Sequence, residues 1–151
     1  METLLKKHYS LGLYLLLALF TAPVWSAGSA CVMAKYNGQT FDYELVVGKD
    51  HPITAIEEGE KALAERGYDS YYKELDVRHA QAITYLPHAY VIVIRSEFKN
   101  WRDKDNSVMG CGFSAKSYDD ALWEAIRDAQ AYYWGWKPDR DKYKIVKKLR
   151  Y

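Results

Sequence analysis

The sequence predicts an α+β fold in which two ββαβ-like halves form one mostly antiparallel sheet, with two helices packed on one face. Two observations lead to this prediction. Strand, hairpin turn, strand, helix and strand patterns follow one another in the same order twice, over about residues 31–80 and 89–151. Each half also contains an amphipathic helix whose apolar stripe needs a sheet to cover it, so that one shared sheet is the economical arrangement.

The first half begins with a β-hairpin. We expect a strand over residues 31–36, an Asn-Gly turn, and a return strand over residues 40–47 in which apolar and acidic side chains alternate. Pro52 suits the first turn of the following helix, and Gly67 suits the position just beyond its end. A third strand is predicted over residues 71–79.

The second half repeats this order. Residues 89–98 contain a continuous apolar run, which is typical of a central strand covered on both faces. A polar turn and a return strand over residues 107–113 follow, and Ser117 then caps a helix that ends at Gly135. The last strand is predicted over residues 142–149.

The apolar positions of both helices and of the central strand predict one shared hydrophobic core. The residues expected in it are Ile56, Leu63, Val91, Val93, Leu122 and Ile126.

The first thirty residues have the pattern of a secretory signal peptide. Lys6 and Lys7 precede an apolar run over residues 11–20, and a small-residue stretch over residues 26–30 follows. We expect cleavage after Ala30, a mature single domain over residues 31–151, and a periplasmic or secreted location.

A membrane-spanning helix and a lipoprotein signal are two other interpretations of this segment. A membrane-spanning helix needs about 20 apolar residues, and the strong run is about half that length, so no stable membrane insertion is expected after cleavage. Lipidation of Cys31 is the other alternative, and Gly28 stands where a lipoprotein signal favours a branched apolar residue.

The mature chain is electrically neutral. The leader contains Glu2, Lys6 and Lys7, so that 19 of the 21 basic and 19 of the 20 acidic residues remain. A neutral domain has no overall field that attracts a polyanion, and we therefore expect no nucleic-acid partner.

The mature chain has two cysteines, Cys31 and Cys111. An even pair in an exported protein predicts a disulfide bond. The alternative, Cys111 as a free nucleophile, requires a neighbouring base, and no histidine is adjacent in the sequence.

No pattern of metal ligands or catalytic groups is visible. His51, His79 and His88 have none of the spacings of a metal site, and the Asp103–Asn106 turn lacks the glycine and distal glutamate of a calcium loop. The sequence therefore predicts no cofactor, no metal and no enzymatic activity.

Aromatic residues are concentrated after the second helix, close to a strand of alternating basic and apolar residues. We expect Tyr132, Trp136, Lys147 and Arg150 to lie on a contact surface. The predicted function is an exported binding protein, an interaction, inhibitor or immunity-type module for another envelope or secreted protein. The alternatives are a protein that binds a small ligand or glycan through exposed Trp and Tyr and, third, an enzyme of unknown type.

Overall fold

A computed structural model describes residues 27–68 and 78–151. The elements in these residues, in chain order, are β1 (Gly28–Tyr36), β2 (Gln39–Lys49), α1 (Pro52–Glu65), β3 (Arg78–Thr84), β4 (Tyr90–Lys99), β5 (Asp105–Ser114), α2 (Tyr118–Tyr132), α3 (Pro138–Asp141) and β6 (Lys144–Arg150). The α+β class is confirmed, and the order of strands and helices recurs in both halves. Most of the strand predicted over residues 71–79 lies outside the described residues, and β3 continues to Thr84.

The strands form two sheets rather than the single sheet that we expected. The strand order is β2-β1-β3 in the first sheet and β5-β4-β6 in the second, and all pairs are antiparallel. In each half the central strand already has a neighbour from its own half on both sides. No further strand can pair with β1 or β4, so each half completes a sheet by itself.

The two sheets pack face to face, and the helices cover their outer faces. Met33 of β1 and Val93 of β4 belong to one apolar cluster between the sheets. The adjacent residues point the other way: Val32 packs in a cluster with α1, and Ile94 packs with Ile126 of α2. The result is a four-layer arrangement of helix, sheet, sheet and helix, and the expectation that both helices lie on one face is wrong.

The predicted single core is accordingly divided into three clusters. Leu63 and Ile56 pack between α1 and the first sheet, Val91 and Val93 lie between the two sheets, and Ile126 and Leu122 pack between α2 and the second sheet.

Local sequence signals correctly mark where both long helices begin, whereas α2 ends at Tyr132, before the predicted end at Gly135. The His51 ring Nδ1 accepts a hydrogen bond from the Ile53 N–H at 3.1 Å and caps α1, which begins with Pro52. The Ser117 hydroxyl accepts from the Asp120 N–H at 3.1 Å and caps α2. Across the described residues, no helix combines the length and the apolar character needed to cross a bilayer.

Helix α2 lies unusually close to β5 because two glycines face it. A Cβ atom at Gly110 would overlap the carbonyl oxygen of Ala125, and one at Gly112 would overlap that of Ala121. Absence of a side chain at both positions allows the helix backbone to rest directly on the strand.

Candidate functional site

Trp136, predicted to be exposed, is completely buried. Its relative exposure is 0%, it packs in the cluster under α2, and its ring meets the Tyr143 ring edge-on at 6.2 Å. The chain turns sharply after α2, where the Trp136 N–H donates to the Tyr133 carbonyl, and this turn directs the indole into the core. Trp134, two residues earlier, is 87% exposed instead.

The other predicted contact residues do not meet. Lys147 and Arg150 are exposed on β6, and the Arg150 guanidinium lies 4.7 Å from the centre of the Tyr90 ring. That ring contacts Tyr118, the first residue of α2, whereas Tyr132 is its last residue. A helix of this length separates them by about 21 Å, so that Arg150 and Tyr132 belong to opposite ends of the molecule.

Three exposed aromatic side chains, Trp101, Tyr132 and Trp134, define what we call the aromatic end. They are 81%, 49% and 87% exposed. The elements that carry them are joined by a contact between the rings of Phe98 and Tyr133, whose centres are 5.2 Å apart. The end of α2 and the β4–β5 turn therefore lie side by side.

The β1–β2 turn lies at the same end of the molecule. The Gln39 amide donates to the Asp105 carbonyl at 3.4 Å, and Gly38 lies beside the Tyr133 ring. The exposure of Trp101 and Trp134 was not predicted from the sequence. The exposure of Trp101 could have been predicted, because a tryptophan inside an otherwise polar turn has no apolar neighbours to bury its ring.

The buried ammonium group of Lys35 contacts the Tyr132 ring. Its nitrogen lies 3.2 Å from the ring centre and has no hydrogen-bond partner among the described residues. Burial lowers the pKa of Lys35 to about 8. Because cation–π attraction grows as the cation loses water, this contact fixes the ring at the edge of the aromatic end.

A polar cleft of about 480 Å³ opens between the sheets near the aromatic end. Its charged side chains form two ion pairs, Arg95 with Glu97 at 3.0 Å and Lys99 with Asp105 at 2.7 Å. The Arg95 Nε is buried and has no hydrogen-bond partner in the part of the chain that the structure describes. The charged groups of the cleft therefore satisfy one another, and its uncharged polar lining consists of Gln39, Asn106 and Ser107.

A second group of polar side chains surrounds Asp128 on α2. Its carboxylate accepts hydrogen bonds from the Cys111 N–H at 2.8 Å and the Gln81 amide at 2.6 Å. Burial raises the pKa of Asp128 to about 6, although both hydrogen bonds and the charge of Lys35 act in the opposite direction. Because β5 is an edge strand of its sheet, Asp128 and Gln81 satisfy two of its outward backbone groups, the Cys111 N–H and the Met109 carbonyl.

The two cysteines lie together between the sheets. Both are buried free thiols in one apolar cluster, close to each other but not at disulfide distance. Burial raises the pKa of Cys111 well above its usual range, with a hydrogen bond to Cys31 as the next cause. A buried thiol that resists ionisation is a poor nucleophile, so the geometry offers nothing that would activate Cys111.

The described residues contain no group of three or more His, Cys, Asp or Glu side chains that could hold a metal ion. Comparisons with protein-family models, curated proteins and solved structures gave no match. The aromatic end, the polar cleft and the Asp128 group are thus the features from which a function can be inferred.

Proposed function

We propose that this chain is an exported binding protein that recognises another envelope or secreted protein through its aromatic end. The observation that carries the proposal is the exposure of Trp101, Tyr132 and Trp134 on adjoining elements. Exposing large aromatic rings loses the free energy that their burial would supply, and tryptophan and tyrosine are the residues most enriched among interface hot spots.

The charges beside these rings favour a partner with an acidic rim. The Arg102 guanidinium lies 4.3 Å from the centre of the Trp101 ring, and Lys104 and Lys137 are exposed nearby. Asp105 is neutralised by Lys99, which leaves Asp103 as the main opposing charge on the β4–β5 turn. Aromatic anchors with neighbouring cations suit a protein surface that presents apolar pockets between carboxylates.

The proposal is tested with paired variants of the exported protein. Trp101→Ala with Trp134→Ala should weaken binding of a purified captured partner by at least about 2 kcal/mol, or roughly thirtyfold, if the rings are hot spots. The matched control is Trp123→Ala, since Trp123 is also exposed but lies on the middle of α2. Equal affinity of wild type and the double variant would overturn the proposal.

A small polar ligand or glycan is the second candidate, because the polar cleft extends to Lys99 and Asp105, the two ends of the turn that carries Trp101. Rings beside a hydrogen-bonding cleft suit a sugar. Titration with a panel of oligosaccharides, followed by tryptophan fluorescence, should then show saturable binding that Arg95→Lys weakens at least tenfold. The absence of binding across the panel would leave the protein partner as the favoured function.

A further inference from the structure

We infer that the leader is cleaved between Ser26 and Ala27, four residues before the site that the sequence alone favours, and that Cys31 carries no lipid. This inference rests on the proposed export, because only an exported chain meets the signal peptidase. It replaces the predicted cleavage after Ala30.

The residues between the two cleavage sites are an integral part of β1. Ser29 and Ala30 are both completely buried, and Ala30 belongs to the cluster under α1. The Ser29 hydroxyl accepts a hydrogen bond from the Gly48 N–H at 3.1 Å. Gly28 pairs with Lys49 of β2, so that the strand begins before the predicted cut.

Cleavage after Ala30 would place the new amino terminus on Cys31. That residue is fully buried and pairs with Leu45 on one side and Ala82 on the other, in the central strand of its sheet. An ammonium group at this position would be charged and removed from water without a partner, which is strongly unfavourable. The cut would also remove Ser29 and its hydrogen bond to β2.

Lipidation of Cys31 conflicts with the same geometry. A lipid on this cysteine is attached through its sulfur, which must then reach a membrane. The Cys31 side chain lies in the cluster between the two sheets, in contact with the opposite sheet. An acylated glycerol on this sulfur would have to separate the sheets.

The sequence before Gly28 contains one suitable alternative. The peptidase recognises a small residue next to the cut and a small or short aliphatic residue three positions before it. Cleavage after Gly28 would place the new amino terminus on the completely buried Ser29. Cleavage after Ala27 places the large Trp25 three positions before the cut, whereas cleavage after Ser26 places Val24 there and Ser26 next to the cut. The peptide bond between Ser26 and Ala27 would be hydrolysed by water, which leaves a carboxylate on Ser26 and an amine on Ala27.

The resulting amino terminus fits the structure. Ala27 precedes β1 by one residue and is partly exposed. Its ammonium group can therefore be hydrated, while every residue of β1 remains in the mature chain.

The experiment is to express the full chain with its leader in a Gram-negative bacterium and to measure the intact mass and amino-terminal sequence of the periplasmic protein. We expect a single product, residues 27–151, without added lipid mass. A product that begins at Cys31, or a diacylglycerol mass on Cys31, would overturn the inference while leaving export intact. A full-length product confined to the cytoplasm would overturn both the inference and the proposed export.

A pair of variants identifies the residue that the peptidase reads. Ser26→Tyr should cause the uncleaved precursor to accumulate at least tenfold over wild type, because a large residue next to the cut blocks it. The matched control, Thr21→Tyr, introduces the same side chain outside both recognition positions and should be processed normally. Neither position lies within the described fold, so that folding of the mature domain does not obscure the result. Normal processing of Ser26→Tyr at Ala30 would contradict the inference.

Discussion

At the scale of single residues, the short turn after α2 determines whether a tryptophan is buried or exposed, as Trp136 shows. The indole fills the cluster under α2, and its buried Nε1 has no hydrogen-bond partner within residues 27–68 and 78–151. Trp136→Ala is expected to lower the free energy of unfolding by about 3–5 kcal/mol, the range for removing a buried large aromatic ring.

Two further variants check this prediction in denaturant melts. Trp136→Phe should cost less than Trp136→Ala, because it keeps an aromatic ring and removes the unsatisfied N–H. Trp134→Ala should leave the free energy of unfolding almost unchanged, since that ring is exposed. The assignment is wrong if the Trp134 and Trp136 variants to alanine are equally stable.

Lys35 and Asp128 make stability depend on pH in a defined way. Asp128 has a pKa raised to about 6, so the folded state holds its proton more tightly and stability falls as pH rises from about 4 to 6. Lys35 has a pKa lowered to about 8, so the folded state releases its proton first and stability rises between about pH 8 and 10.5. Together these groups destabilise the fold most between pH 6 and 8, where both are charged.

The double variant Lys35→Met with Asp128→Asn tests this directly. Its stability relative to wild type should be greatest between pH 6 and 8 and should decline on either side of that window. Urea melts at several pH values measure the difference, and other titrating groups cancel in it. A difference that does not vary with pH would mean that the two groups are already solvated in the folded protein.

Roles that depend on neighbouring residues in the chain were predictable from the sequence, and roles that depend on tertiary packing were not. Ser117 caps α2 as expected, because a cap involves only the next three residues. Trp134 and Trp136 are two residues apart and of the same type, yet one is exposed and one is buried. Periodicity cannot distinguish them, because both lie beyond the helix in a turn whose direction depends on the sheet below.

At the scale of elements, the contact of α2 with β5 depends on two positions without side chains. Gly112→Ala would place a methyl group against the backbone of α2, and we expect it to cost about 3 kcal/mol or more. Backbone cannot move aside as a flexible side chain can.

Gly48→Ala is the matched control for that substitution. Gly48 has open space around it and a φ of 70°. Alanine at this position should therefore lower the free energy of unfolding only through backbone strain, by about 1 kcal/mol. Thermal or chemical melts of the two variants measure the contrast. If the two substitutions lower the free energy of unfolding by the same amount, α2 does not lie as close to β5 as described.

The arrangement of the strands illustrates what a pattern of burial can and cannot predict. The apolar run in β4 correctly indicated a strand covered on both faces, and β1 is covered in the same way. A central strand has two apolar faces in one large sheet that is covered on both sides, and it has them equally in a smaller sheet that stacks on a second sheet. The pattern therefore predicted two-sided burial but not the four layers that provide it.

At the scale of the whole molecule, Cys31 and Cys111 lie where one bond would join the two sheets. On the proposed export, we predict that the two thiols form this disulfide, which closes a loop of about 80 residues and adds roughly 4 kcal/mol to the free energy of unfolding in the chain-entropy model. Intact mass before and after reduction, with alkylation of any free thiol, measures it.

Cys111→Ser provides the comparison, since it retains one buried cysteine without a partner. Reduction should destabilise the wild-type protein and leave this variant unchanged. Two alkylated thiols in protein purified from the periplasm without reductant would contradict the prediction.

The division into two halves has a consequence for how copies of the chain can associate. Each half has its own sheet and helix, and only residues 85–89 connect β3 to β4. The cluster between the sheets is the same whether its two faces come from one chain or from two. The fold is therefore suited to domain swapping, in which two chains exchange halves and form a dimer that contains the interface between the sheets twice.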